Sequence, residues 1–361
     1  MSMLRINPET LILTIIKCKG LVSSFLGAII HVMIKLLIIV NNPKRASFRL
    51  RVTDFLDYFR REGIVCEVCK LPQKNLQRWQ LFKSAQKYDA VLLHRKCLNF
   101  FDAKVLARYS RKIVFDHDDA IMYSTSRPES NRTSHFRLYK RTIQMVDCVI
   151  AGNEYLAEHA RLFCRHVYVV PTGLDTTAFE QERPQKHDDE IRLVWIGSES
   201  TLPYLAELKS VFEQIGKSHP HVVLRIIADE FFDLENMMVQ KHMWSLESQV
   251  SDLLACDIGL APLPDNRFTK GKCGFKILQY FAAGLPVVAS PVGVNEKFIK
   301  ESNAGILAAT PEQWKSAVEK MIEDVPMCRQ MGQNGKRYVQ AYDTSLVAKQ
   351  FCEIVKEAIV L

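Results

Sequence analysis

Short apolar runs recur along this chain, most spaced so that one helix fits between each and the next. They fall at KLLIIV, GIVCEV, YDAVLLH, KIVFD and DCVIAG, then at HVYVVP, IRLVWIG, HVVLRII, DIGLAPL and PVVAS. Within each run the hydrophobicity is continuous rather than alternating. That pattern belongs to strands buried on both faces, hence to parallel sheets joined by crossover helices. Between the runs lie stretches of helical period, such as residues 51–61, beside which Leu50, Phe55 and Phe59 can share one face. Ten such runs exceed a usual single sheet. A break falls at the polar, turn-rich PTGLDTTAFEQERPQKHDDE, so the expected architecture is α/β with two doubly wound domains joined there. Ligand is expected in the cleft at the strand carboxyl ends.

The length of 361 residues suits two domains, and 48% apolar with 24% charged residues excludes a disordered or fibrous chain. Ten cysteines without paired spacing read as reduced thiols, and Cys66 and Cys69 as two strand thiols rather than a redox pair. The net charge of +8 hides an asymmetry. Residues 1–170 carry 28 Lys and Arg against 14 Asp and Glu, and the remainder 20 against 26. A basic first half suits an anionic partner, phosphate or a membrane surface, or else is a generic solvated face. Nucleic acid is the weakest partner class, because no motif of a nucleic-acid-binding fold accompanies the charge.

Residues 1–32 form an apolar extension. From Leu11 to Val40 the chain is strongly apolar, but Lys17, Lys19 and Lys35 interrupt it, and its longest charge-free run, Gly20 to Ile34, is 15 residues. A bilayer span needs about 20. Two readings stand: an interfacial helix lying on a membrane, or a protein that in effect begins at Met33, where MIKLLIIVNNP opens a first strand.

The most informative stretch is DIGLAPLPDNRFTKGKCGFKILQYFAAGLPVVASPVGVNE. A buried strand gives way to a loop holding Lys270, Gly271, Lys272 and Gly274, and a helix from Phe275 to Ala283 follows, closed by Gly284. A glycine-bearing loop that opens a helix presents free backbone N–H groups and the positive end of the helix dipole. With Lys272 and Lys276 beside it, this is a seat for a diphosphate or, failing that, a structural loop with solvated lysines. In FDHDDA, the residues Asp116, His117, Asp118 and Asp119 follow a buried strand directly, which makes an ionisable cluster at a cleft. Metal ligation by His117 and its aspartates lacks a second histidine at helical spacing, and helix capping by Asp118 or Asp119 is the structural alternative.

GFKILQYFAAGLPVVASPVG resembles the donor-site signature of glycosyltransferase family 4, the retaining nucleotide-sugar transferases of GT-B fold. VVPTGLDTTAF resembles that family's entry into its second domain, and NNPKRASFRLR the loop after its first strand. IVFDHDDA, VIAGNEYLAEHA, ESNAGILAATPEQW and RQMGQNGKRYVQAYD resemble further segments in the family's order. The resemblance begins near Met33. It implies an acceptor-side Rossmann-like domain over residues 33–172, a linker over 173–190 and a nucleotide-sugar domain over 191–342. A final helix over 343–361 is implied to cross back to the first domain.

The reaction implied is transfer of a hexosyl-type sugar from a nucleotide-sugar donor, with retention, to a glycan, phosphorylated or lipid-linked acceptor. Cell-surface polysaccharide or lipopolysaccharide synthesis is the setting, in the cytoplasm or peripherally on the inner face of the membrane. No cofactor or metal is expected, the nucleotide-sugar being a substrate. His117, Asp118, Asp119, Lys272 and Lys276 are the implied catalytic set. Gly197, Ser198, Gly274, Phe275 and Gln279 would bind the donor, and Arg49, Arg51 and Asn153 the acceptor or a phosphate.

Two departures from the family stand out. Where it commonly carries two glutamates eight positions apart, this chain has Gly271 and Gln279. The loop Gly197-Ser198-Glu199-Ser200-Thr201 lacks the nearby Arg and Lys that often hold donor phosphates, leaving Lys272 and Lys276 as substitutes. Gly271 and Gln279 keep open a non-catalytic nucleotide-sugar-binding protein, and the shared GT-B shape keeps open a nucleotide-sugar epimerase. A nicotinamide-dependent oxidoreductase is excluded, since NNPKRASFR has no glycine-rich turn after the first strand.

Overall fold

The computed structural model describes residues 33–185 and 188–361. The apolar extension expected over residues 1–32 lies outside them.

The continuous apolar runs form strands, and these build two six-stranded parallel sheets. The first holds β1 (Ile34–Val40), β2 (Ile64–Lys70), β3 (Ala90–His94), β4 (Ile113–His117), β5 (Cys148–Ala151) and β6 (Val167–Val169), ordered β2-β1-β3-β4-β5-β6. The second holds β7 (Ile191–Ile196), β8 (Val222–Ala228), β9 (Val239–Met243), β10 (Ile258–Ala261), β11 (Val287–Ala289) and β12 (Gly305–Leu307), ordered β12-β11-β10-β7-β8-β9. All pairings are parallel, as between Leu36 and Ala90 or Gly259 and Val287. β1, β3, β4, β5, β8 and β10 are almost wholly buried, which is why their sequences read as unbroken apolar runs.

β9 and β12 have no counterpart among the ten runs. Both lie at the edges of the second sheet, where only one neighbour is paired. In β9 the sequence VQKHM is half polar because much of it meets solvent, and β12 is only three residues long. The helical stretch expected over residues 51–61 is broken into Ala46–Arg51, a 3-10 turn at Thr53–Phe55, and Leu56–Arg61. Phe55 and Phe59 are nonetheless buried together in the core of the first domain, while Leu50 is buried at the wall of a cleft.

The chain passes between the domains twice, and the two passages are fastened together. Leu174 N–H donates to Tyr342 O at 2.9 Å, and Thr344 N–H to Leu174 O at 3.0 Å. Asp343 accepts from the Thr176 hydroxyl at 2.7 Å. The helix Thr344–Val360 then buries Val347, Phe351, Cys352 and Val355 in the core formed by Leu36, Ile38 and Leu92 of the first sheet. Phe351 meets the rings of Phe55 and Phe59 edge-on at 5.7 and 5.8 Å.

Candidate active site

The carboxyl ends of both sheets open onto one cleft of about 530 Å³. From the first domain it is lined by Ser47, Arg49, Arg95, Asp118 and Asp119. From the second come Gly197, Ser198, Thr201, Gln249, Lys272, Gly274, Phe275, Lys276 and Gln279. A contiguous, more polar recess of about 650 Å³ shares Arg95, Asp119, Thr201 and Lys272 and adds Arg45, His94, Lys96 and His135.

Gly274 makes the donor-side turn. Its φ of +65° favours glycine, and an added Cβ would lie 2.7 Å from Phe298. From it springs the helix Phe275–Ala282, whose first turn carries no acidic side chain. Lys276 projects from that turn to place its Nζ 4.0 Å from the centre of the Trp195 ring and 3.3 Å from Thr201 Oγ1. Burial, with Lys272 adding repulsion, brings its pKa down to about 7. Gly197 permits this packing, since a Cβ there would fall 2.5 Å from Trp195 and 2.6 Å from Lys276 Nζ. Gln279 is buried on the same helix and donates to Gln249 Oε1 at 3.2 Å.

On the acceptor side, Asp118 and Asp119 stand just past the end of β4. Arg95 reaches both, at 3.0 and 3.1 Å, and Lys272 Nζ lies 3.2 Å from Asp119 Oδ2. Burial alone would raise the Asp118 pKa, but Arg95, with His94 and Arg51, holds it below the ordinary carboxylate range. Ser47 Oγ donates to Asp118 Oδ1 at 2.9 Å and lies 3.1 Å from His94 Nε2. His94 Nδ1 is 2.7 Å from Asp116 Oδ2. Ser47 has one proton, so when it donates to Asp118 its oxygen must accept from His94 Nε2–H. The chain of bonds is therefore complete when His94 carries both ring protons.

Three sequence-derived assignments need correction. Arg51 does not face a ligand: it is fully buried, its guanidinium spent on Asp116 at 2.5 Å and on the carbonyls of Val170 and Pro171 at 2.9 and 3.1 Å. His117 is likewise fully buried, between the rings of Phe115 and Tyr139, with a pKa brought down to about 4 by burial. That neutral ring cannot touch a substrate in the cleft. Asn153 caps the helix Glu154–Arg161, accepting from Leu156 N–H at 3.0 Å, and its amide donates at 3.1 Å to Gly271 O and Lys272 O. It ties the domains together instead of binding acceptor. Arg49 lines the cleft and pairs with Asp54 at 3.5 Å.

Ser47, His94, Arg95, Trp195 and Gln249 escaped the sequence reading. His94 and Arg95 were findable, since they close and follow the buried run VLLH as Asp116 and then Asp118 close and follow KIVFD. Ser47, Trp195 and Gln249 carry no local signal. The departure at Gly271 has a steric cause: an added Cβ would come within 2.5 Å of Ala120 Cβ, across the domain boundary. No glutamate fits there. Among the described residues, no three His, Cys, Asp or Glu side chains gather to hold a metal ion.

The family model described as glycosyl transferases group 1 matches residues 174–324, the segment holding β7 through β12 and the donor-side helix. No curated protein matches the chain. Solved structures match over nearly its whole length. Sucrose-phosphate synthase from Thermosynechococcus elongatus aligns at TM-score 0.71 and 15% identity, covering 91% of this chain and 99% of its own. HepE from Anabaena, in complex with UDP and glucose, aligns at 0.69 and 15%, covering 90% and 100%. WaaG, a glycosyltransferase involved in lipopolysaccharide biosynthesis, aligns at 0.64 and 13%, covering 89% and 99%. The resemblance read from the sequence, and the two-domain GT-B fold it implied, are borne out.

Proposed function

We propose, from the match of residues 174–324 to the group 1 glycosyl transferases and from the GT-B fold, that the protein transfers a hexosyl group from a nucleotide-sugar, with retention, to a glycan, phosphorylated or lipid-linked acceptor. The observation that carries this reading is the placement of Lys276, Lys272 and the N-terminus of the helix Phe275–Ala282 in one wall of the cleft, facing Asp118 and Asp119 in the other. Breaking a sugar–phosphate bond builds negative charge on the departing diphosphate. Preorganised cations and a helix terminus aimed at that charge stabilise the transition state more than the ground state.

Lys276 is well suited to this work. A diphosphate beside it favours the ammonium form that burial disfavours, so its charge would be drawn out by the ligand it neutralises. Arg95 holds Asp118 ionised, with Ser47 donating to it, while Asp119 is paired with Arg95 and Lys272; both would fix hydroxyls of sugar or acceptor without being free nucleophiles. The adjoining recess, with Arg45, Lys96 and His135, offers an acceptor region with an affinity for negative charge. No metal or cofactor enters the scheme, since the lysines and the helix terminus take the role of leaving-group cation.

HepE was solved with UDP and with UDP-glucose, which supports a uridine donor as the first to test. WaaG's role in lipopolysaccharide biosynthesis supports a cell-surface glycan pathway; the basic first half of the chain supports a place on the inner face of the membrane. The decisive experiment incubates the purified protein with UDP-sugars and follows release of UDP, with and without added glycan acceptors. Turnover that yields a product of unchanged anomeric configuration supports the proposal. A free epimerised sugar nucleotide would establish an epimerase, and tight binding of donors without any turnover would establish a binding protein.

A further inference from the structure

We propose that the face formed by the helices Asn75–Ser84 and Phe100–Tyr109 is a docking surface for an anionic lipid bilayer. The inference deepens the reading above, by naming where a membrane would be met.

The helix Asn75–Ser84 (NLQRWQLFKS) turns Phe82 into the core of the first domain and leaves Leu76 and Trp79 outside, 67% and 42% exposed. On the neighbouring helix, Ala103 and Leu106 point inward while Phe100 and Phe101 are 47% and 78% exposed. Trp79, Phe100 and Phe101 line one shallow groove of about 460 Å³, so the exposed rings form a patch instead of isolated side chains. A helix that is amphipathic for folding needs only one apolar face. A second, aromatic one exposed to water marks a contact surface.

The charge around the rings selects the occupant. The two helices carry Arg78, Lys83, Lys104 and Arg108 against one acid, Asp102, and that acid is paired with Arg78 at 3.5 Å. Lys83 lies 5.1 Å from the Trp79 ring, and Lys104 and Arg141 lie 4.4 and 5.9 Å from that of Phe100. Aromatic rings at the level of the headgroups, interleaved with lysines that reach anionic phosphates, are what binds a protein flat on a bilayer. The patch is too uniformly basic to be the core of a stable protein interface, which is depleted of charge.

The test uses the full chain with phosphatidylcholine vesicles, with and without phosphatidylglycerol, part of the lipid carrying brominated acyl chains. Trp195 and Trp314 are buried, and Trp244, as exposed as Trp79, lines the catalytic cleft on the second domain, so the difference between wild type and Trp79→Phe reads quenching at this face. The expected result is quenching on anionic vesicles that disappears in Trp79→Phe. A Phe100→Ser/Phe101→Ser variant should partition at least about tenfold less well at unchanged circular dichroism. Equal quenching in wild type and Trp79→Phe would overturn the proposal, as would unchanged partitioning of the double variant, since binding would then belong to another part of the chain. Self-association without lipid that the double variant abolishes would also overturn it, in favour of a second copy. UDP release from UDP-sugars, measured without vesicles, reads the glycosyl-transfer proposal separately.

Discussion

The ammonium of Lys276 rests against the face of Trp195, 4.0 Å from the ring centre, with Lys272 close enough to add repulsion. Stacking on the ring compensates for part of the lost hydration, but the amine is left with a pKa of about 7. A diphosphate would raise it again. Binding of UDP should therefore take up protons: most of one at about pH 8, where the free protein is largely neutral at this site, and little at about pH 6, where it is already charged. Affinity should fall as pH rises through and above 7. Calorimetry in buffers of different ionisation enthalpy measures the uptake, and buffer-independent heats at about pH 8 would remove Lys276 from the diphosphate site. Lys276→Ala should cut turnover by on the order of a hundredfold, the scale of losing one preorganised stabiliser.

Gln279 and Gly271 respond differently to restoring the family's glutamates. Gln279 faces Gln249, whose amide can turn to donate to a carboxylate as readily as it now accepts. Gln279→Glu should then tighten UDP binding several-fold by giving the ribose a charged acceptor, worth roughly 1 kcal/mol. Gly271→Glu should instead lower both activity and melting temperature, because its Cβ meets Ala120 across the domain boundary. Titration calorimetry on the first variant and thermal unfolding of both separate these outcomes. Equal behaviour of the two would mean that neither position meets the ribose.

How far these sites were legible follows from burial. Strands with two buried faces announce themselves by unbroken apolar runs, and so the two sheets could be read; β9 and β12, at solvent-exposed edges, could not. The donor loop was legible because glycines and lysines must stand close together in sequence to serve one helix terminus. The acceptor wall was not. A motif such as FDHDDA gives the order of residues along a strand end but not which of them turn inward: His117 alternates into the core while Asp118 and Asp119 emerge. The sequence offers Arg51 to an acceptor or a phosphate because its true partner, Asp116, lies 65 residues away and leaves no local sign of the pairing.

Ser47 links His94 to Asp118, and its hydroxyl is the weak point of that chain. Ser47→Ala removes one hydrogen bond to an ionised carboxylate and leaves Asp118 held by Arg95 alone. Turnover should drop roughly tenfold to a hundredfold, the range for a bond to a charged group, with a smaller change in KM for the donor. His94→Gln, which preserves a donor toward Ser47, should retain more activity than His94→Ala. Equal loss in both histidine variants would mean that the ring matters by its packing against Phe48, whose ring centre is 5.5 Å away, and not by its proton.

The last prediction concerns the buried pair that supports this wall. Arg51 and Asp116 are both fully inaccessible, and Asp116 accepts from Arg51 and His94 together. Burial alone would raise its pKa, but the Arg51 guanidinium and the His94 bond hold it below the ordinary carboxylate value. A carboxyl whose folded pKa is depressed contributes stability above its unfolded pKa of about 4 and loses it as pH falls below that value. Asp116→Asn leaves Arg51 as an uncompensated buried charge and should cost about 3–5 kcal/mol, the scale of breaking a buried pair from one side. Arg51→Met/Asp116→Leu removes both charges and should recover much of that loss, while depriving His94 of its anchor and so lowering turnover. Urea unfolding at about pH 7 and about pH 3 tests the sign: the gap between wild type and Asp116→Asn should shrink at the lower pH. A gap that stays constant would show that the carboxylate charge is not what stabilises the first domain.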